Sequence, residues 1–539
     1  MTGFNLADLF ELVAGAVPER VAVVCGAERR TYSELDARAT RLAHALADRG
    51  VRPGAHVGCY LHDSIAHVEI ILACYKLRAV PINVNYRYVG EEVRYLCDDA
   101  GVVVLFHDAD LTTPMTALEV DLIAAGDDAY EGMLRRATLV HALPSRSGDD
   151  HYVLYTGGTT GMPKGVVWRQ EDIFFAALGG GNPGGPPISH PAEIVASVLH
   201  NPAQRLRPLL PDADPGPEQF VSLASGPLVH ASGQWSVLGT LLGGGRAVLN
   251  ADRHFDVARV LDLIERERVN ACNLVGDATA RPMLHALRHE PGRWDTASLR
   301  LLGSGGSILS AEVRDGLLAA LPSVIAIIEG IGSSESPAQA VAVTTRSGTP
   351  SRSLTFAPKA ETMVVDDDLR PVPTGRGVVG RLATRGRVPI GYHRDPERTA
   401  RTFVEIDGQR WALPGDMATV DRDGTIHLLG RGSLCINSGG EKVYPEEVEA
   451  VLKDAPGVAD AVVIGVPDER YGERVVAIVS CAHRDDPPDL DAVRAHCRTR
   501  LAGYKLPREL RIVEEVVRSP AGKADYGWAR NIAAGPSAP

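Results

Sequence analysis

Paired cysteines are missing from this chain. Its eight cysteines (Cys25, Cys59, Cys74, Cys97, Cys272, Cys435, Cys481 and Cys497) are scattered over 539 residues, with no CxxC pair. That argues against a zinc site and against a disulfide framework. An apolar run of about 18 residues, the length a membrane-spanning helix needs, is also lacking. The N-terminal stretch MTGFNLADLFELVAGAVPER carries acidic residues where a signal peptide needs a basic start. These absences predict a cytoplasmic protein with no membrane span. An excess of positive charge is missing too: the net charge is −12, which argues against a nucleic-acid partner, although local basic clusters could still hold phosphates. No internal repeat occurs.

What is present fits a soluble globular protein, with 45% hydrophobic and 23% charged residues. The length corresponds to roughly three or four domain-sized units. Residues 31–50, TYSELDARATRLAHALADRG, begin with a Thr/Ser cap candidate and place Leu35, Ala39, Leu42 and Leu46 at helical spacing, with Gly50 closing the helix. Strand-like runs at 57–61, 102–106, 152–156, 247–250 and 323–329 alternate with helical patterns, which predicts parallel α/β sheets. Residues 179–191 and 208–217 are rich in Gly and Pro and read as loops. From about 355 the texture changes to short alternating runs with Asp/Gly turns, the mark of antiparallel strands. After GRGS at 430–433 a compact β–α–β–β–α–β pattern follows. The expected organisation is a large N-terminal domain (1–430) with parallel α/β sheets and a small β-barrel-like part, a link at 431–433, and a small α+β domain (434–530). A disordered tail is expected over 531–539.

The strongest chemical signal is YTGGTTGMPKG at 155–165. A strand ends at Thr156, and Gly157, Gly158, Thr159, Thr160 and Gly161 form a loop whose amides and hydroxyls can approach phosphate oxygens. Lys164 supplies a point charge for polyphosphate. The pattern GxxxxGK[ST] is not matched, so this is not a Walker A loop. The segment closely resembles the phosphate loop of the adenylate-forming superfamily: acyl-CoA synthetases, peptide-synthetase adenylation domains and luciferases. Further motifs follow in that superfamily's order, so the resemblance covers nearly the whole chain.

The resemblance implies a role for each matching residue. In GIGSSE (330–335), Ser334 replaces a threonine and Glu335 matches the glutamate that binds Mg²⁺. Gly303, Gly305 and Gly306 resemble the loop beside the adenine and the acyl group, and His230 in PLVHASGQW takes the key position at the acyl pocket, as a gate. Asp416 matches the aspartate that accepts both ribose hydroxyls, and Arg431 the arginine on the nucleotide. Ser433 falls at the hinge. Gly439, Gly440, Glu441 and Lys442 resemble the loop lining the pantetheine tunnel of coenzyme A. Lys523, in SPAGKADY, matches the catalytic lysine.

The function so implied is an ATP- and Mg²⁺-dependent ligase that adenylates a carboxylic acid and passes the acyl group to coenzyme A. The wording YTGGTTGMPKGVVWRQEDIF is similar to that of actinobacterial ligases for steroid side chains and polycyclic terpenoid acids. Ser336-Pro337-Ala338-Gln339 departs from the glycine-rich sequence common after the glutamate, and Pro337 would stiffen the backbone near the acyl group. A bulky hydrophobic acid is therefore the expected substrate. The alternatives are a medium- or long-chain fatty acyl-CoA synthetase, an adenylating enzyme with a separate acceptor protein, and a nucleotide-binding regulator without turnover. A homodimer stays open as the assembly.

Overall fold

Thr31 accepts a hydrogen bond from the N–H of Glu34, whose carboxylate reaches back to the Thr31 N–H at 2.8 Å. This reciprocal cap starts the helix Tyr32–Asp48 where the Thr/Ser signal placed it, and Leu35, Ala39, Leu42 and Leu46 all turn inward. The computed structural model describes residues 3–535 apart from 89, 112–117, 119, 138–141, 157–161, 183–184, 201–218, 254, 308, 347–354, 358, 439–440, 469–471, 483–486, 502 and 519–521.

Two sheets of parallel strands form the body of the N-terminal domain. One has four strands in the order Val80–Val84, His56–Tyr60, Val102–His107, Asp121–Ala124, all parallel. The other has eight strands, and its edges, Ser336–Thr345 and Glu28–Thr31, are antiparallel to the parallel strands between them. Parallel strands covered on both faces need continuous apolar runs, and Val80–Val84 is buried throughout. The run expected at 323–329 becomes a strand only at Ala326–Ser333, because the N–H of Val324 first closes a turn onto the Leu321 carbonyl.

A three-stranded antiparallel sheet (His151–Thr156, Lys164–Arg169, Gly391–Tyr392) completes the domain. Residues from 355 to 431 fold into a seven-stranded sheet, antiparallel as expected. Between the two expected loops lies a short helix, Glu193–Leu199, whose Ile194 and Val198 join the main core.

The C-terminal domain is built on the long antiparallel pair Val458–Asp468 and Gly472–Cys481, with Glu509–Val513 parallel to the latter. The helices Pro445–Lys453, Leu490–Arg498 and Tyr526–Ala534 pack around it. The tail expected from 531 is thus helical as far as Ala534: Asp525 caps that helix through the Trp528 N–H, and Ala529 and Ala533 are buried. Among the described residues, no helix is long and apolar enough to cross a membrane.

Candidate active site

One side of the candidate site starts from a hairpin. Thr156, at the end of one strand, stands opposite Lys164, at the start of the next. The connecting Gly157, Gly158, Thr159, Thr160 and Gly161 lie outside the described residues. Close by, the tight turn Ser334–Glu335 joins the strands Ala326–Ser333 and Ser336–Thr345. The Trp168 indole N–H donates to the Ser334 carbonyl at 2.9 Å and fixes this turn. Glu335 is only 5% exposed. Its Oε1 accepts a hydrogen bond from the Tyr392 hydroxyl at 2.6 Å and an ion pair from Lys164 Nζ at 3.0 Å. Burial alone would raise its pKa, but the Lys164 charge, the Tyr392 hydrogen bond and Arg431 override it and hold the carboxyl at about 2.

The other side is assembled from strand ends. Gly303 and Gly305 lie on Leu301–Gly305, parallel to Ala326–Ser333, so the GSGGS loop and the GIGSSE turn emerge at the carboxyl end of the same sheet. Open α/β sheets bind ligands at that end. A Cβ on Gly303 would lie 2.2 Å from Asn273 Oδ1, so that amide would have to shift, and Gly306 takes a left-handed φ of +79°. Asp416 and Arg431 face each other across an antiparallel pair, with Arg431 Nε 2.9 Å from Asp416 Oδ1. The other carboxylate oxygen, Oδ2, is buried without a partner. Burial raises the Asp416 pKa against the opposing pull of Arg431.

Two further residues close the site. His230 sits at the extended N-cap of the helix Ala231–Leu242 but does not cap it; its Nε2 is buried and unpartnered. Burial, the Lys523 charge and Arg87 push its pKa down to about 4, so the imidazole is neutral at neutral pH. The Lys523 side chain is exposed to solvent. Desolvation and Arg431 lower its pKa, while Glu335 and Asp416 pull it upward and Lys164 pulls it down. The C-terminal domain is therefore docked with its lysine within electrostatic reach of the other charged groups. Gly522 makes that approach feasible: its φ is +68°, and a Cβ there would lie 2.3 Å from Val275 Cγ1 of the N-terminal domain.

The AMP-binding enzyme family matches residues 10–392, and the AMP-binding enzyme C-terminal domain matches residues 447–523. The chain belongs to the AMP-binding enzyme family. Its relatives include the 3-oxocholest-4-en-26-oate--CoA ligase of Rhodococcus rhodochrous, 40% identical over 98% of this chain and 95% of that protein. Another is a medium/long-chain-fatty-acid--CoA/3-oxocholest-4-en-26-oate--CoA ligase of Mycolicibacterium smegmatis, 38% identical over 98% of this chain and 96% of that one. The fold is shared with an anthranilate CoA ligase solved in complex with anthranoyl-AMP, at a TM-score of 0.80 and 22% identity over 98% and 97% of the two chains.

In this AMP-binding enzyme, Lys164 pairs with Glu335 and Arg431 with Asp416, Lys523 is electrostatically coupled to all four and to His230, and Ser334 lies in the turn before Ser336. The residues expected at the coenzyme A loop stand differently. Glu441 is exposed at the start of the strand Glu441–Val443, and Lys442 pairs through its backbone with Asn437. Gly439 and Gly440 lie outside the described residues. Ser433 occupies a short 3₁₀ turn, Gly432–Leu434, between the two domains.

Two participants were not expected. Tyr392 stands in the segment GYHRDPERTARTF, yet nothing local marks its hydroxyl as a partner of a glutamate 57 residues away. Glu446, in the YPEEVE run, accepts a hydrogen bond from the Arg431 N–H at 3.2 Å. A polar residue next to a helix-initiating Pro445 reads as an ordinary first-turn acid, so the sequence carries no signal for that contact.

Proposed function

We propose that this AMP-binding enzyme is an ATP-dependent acyl-CoA ligase acting on a bulky hydrophobic carboxylic acid. The observation that carries the reading is the pair of ion pairs Lys164–Glu335, at 3.0 Å, and Arg431–Asp416, at 2.9 Å, with Lys523 of the small domain electrostatically coupled to both. Such a cluster serves charge that develops on a carboxylate attacking a triphosphate.

A carboxylate is a poor acyl donor because its leaving group would be oxide. Its oxygen instead attacks the α-phosphorus of ATP, the bond to the bridging oxygen breaks, and pyrophosphate departs with the electron pair. Lys164 and Lys523 balance the charge on the phosphates and on the attacking carboxylate. The unpartnered Asp416 Oδ2 is a buried acceptor, the chemistry a ribose hydroxyl requires. Glu335, held ionised by its neighbours, is a hard oxygen donor suited to Mg²⁺. When bound, that ion neutralises polyphosphate charge. His230, neutral and unpartnered, borders the acyl group as a gate. The small domain then turns about Ser433, withdraws Lys523 and brings residues 439–442 to the site. The thiolate of coenzyme A attacks the acyl carbon and AMP leaves.

The substrate class rests on the two relatives whose printed activities include a steroid acid. The second of them also names medium- and long-chain fatty acids, so such an acid is the alternative. Mass spectrometry of products formed from ATP, Mg²⁺ and a panel of fatty, aryl, steroid and diterpenoid acids, with and without coenzyme A, tests the reading. Acyl-CoA from a polycyclic acid supports it. Acyl-AMP accumulating in the presence of coenzyme A points to a separate acceptor protein and overturns the thioester step.

A further inference from the structure

Lys164, Glu335 and Tyr392 form a closed triangle. The Tyr392 hydroxyl donates to Glu335 Oε1 at 2.6 Å and accepts from Lys164 Nζ at 3.1 Å, while Lys164 and Glu335 are 3.0 Å apart. Three separate elements supply the corners: the strand Lys164–Arg169, the turn before Ser336, and the short strand Gly391–Tyr392. The pairing of Tyr392 with Val166 sets the ring beside Lys164, whose Nζ lies 4.4 Å from the ring centroid. The phenol is held from behind. Its backbone N–H donates to Thr399 Oγ1 at 2.9 Å, and its ring packs against Phe403 with centroids 5.7 Å apart.

We propose that Tyr392 is a positioning residue for adenylation, holding the Glu335 carboxylate in the orientation that receives the metal while Lys164 turns to the polyphosphate. This rests on the ligase reading above. The physical reason is that Lys164 is asked to serve two anions. Glu335 is nearly buried, and a buried carboxylate that loses its cation is costly unless other donors remain. Tyr392 supplies such a donor without bringing a positive charge that would compete with a metal ion. A phenol, whose ordinary pKa is about 10, is protonated at neutral pH and keeps donating. The ring face, meanwhile, gives the Lys164 ammonium a second favourable contact when it swings off the carboxylate.

Tyr392→Phe keeps the ring and removes only the hydroxyl. Mn²⁺ binding in the presence of α,β-methylene ATP, followed by electron paramagnetic resonance, should weaken about tenfold, the effect of losing one hydrogen bond to a charged group. The Mg²⁺ concentration for half-maximal ATP–pyrophosphate exchange should rise by a similar factor, with thioester formation from synthetic acyl-AMP unchanged. Unaltered Mn²⁺ affinity in the variant, or an equal loss in both half-reactions, overturns the assignment to Tyr392. If the wild-type protein itself shows no pyrophosphate exchange with any acid, the ligase reading fails instead. Tyr392→Leu, which also removes the ring, should weaken Mn²⁺ binding at least as much as Tyr392→Phe; a smaller effect contradicts the proposal.

Discussion

A carboxyl oxygen of Glu446 accepts a hydrogen bond from the backbone N–H of Arg431, 3.2 Å away, and so ties the first helix of the small domain to the strand Ile426–Arg431. The contact is tight. A Cβ on Gly430 would fall 2.1 Å from Glu446 Oε2, and that oxygen is buried without a partner.

Burial, with Glu449 close by, pushes the Glu446 carboxyl up from 4.5 to about 8. The folded protein therefore binds this proton more tightly than the unfolded chain does. The stability it contributes is complete below the unfolded pKa near 4.5 and is lost as pH rises through about 8. Asp416, Arg431, Glu449 and Tyr526 also act on or feel this group. Glu446→Gln should leave the unfolding temperature nearly unchanged at about pH 5 and raise it above wild type at about pH 9. Thermal unfolding at the two pH values checks this; equal shifts at both contradict it.

Gly522→Ala places a methyl group against Val275 and imposes a left-handed backbone conformation on a residue with a side chain. Both effects act where the small domain docks, not within either core. The expected outcome is a loss of adenylation of about tenfold or more, with thioester formation from synthetic acyl-AMP largely retained. Single-turnover assays of the separate half-reactions measure it.

Lys523→Gln removes an ammonium electrostatically coupled to Glu335, Asp416 and Arg431. Adenylation should fall about 100- to 1,000-fold, the range seen when one preorganised electrostatic group is deleted. Pyrophosphate exchange gives the number directly. Thioester formation from acyl-AMP should fall far less.

His230, with its pKa pushed down to about 4, binds fewer protons in the folded state than in the unfolded one between that value and 6.5. Its contribution to stability is present above 6.5 and lost as pH falls towards 4. His230→Gln should flatten the acid limb of the stability curve. A proton titration of its imidazole seen by NMR near 6.5 contradicts the assignment.

Much of this was legible from local pattern. The capping box at Thr31 and Glu34 is a four-residue signal and fixed one helix start. Lys164 was suggested by the Gly/Thr loop before it, whereas Glu335 and Lys523 were named only by their places in a series of motifs resembling the superfamily's. Contacts between distant segments were not legible. The Tyr392–Lys164 hydrogen bond spans 228 residues, and its partners belong to three elements whose register is set by sheet pairing. The helix Tyr526–Ala534 was masked by its high content of small residues, which reads as a tail until Val462, Ile464 and Ile478 provide a surface to bury it. The late start of the strand Ala326–Ser333 reflects a turn hydrogen bond that a run of apolar residues does not announce.

The central claim is that the acid is activated by attack of its own oxygen on the α-phosphorus. Converting a carboxyl-¹⁸O-labelled acid with ATP and coenzyme A, and analysing the AMP by mass spectrometry, tests it most directly. The account predicts AMP carrying one labelled oxygen and pyrophosphate carrying none. Label-free AMP, or label in pyrophosphate or phosphate, contradicts it.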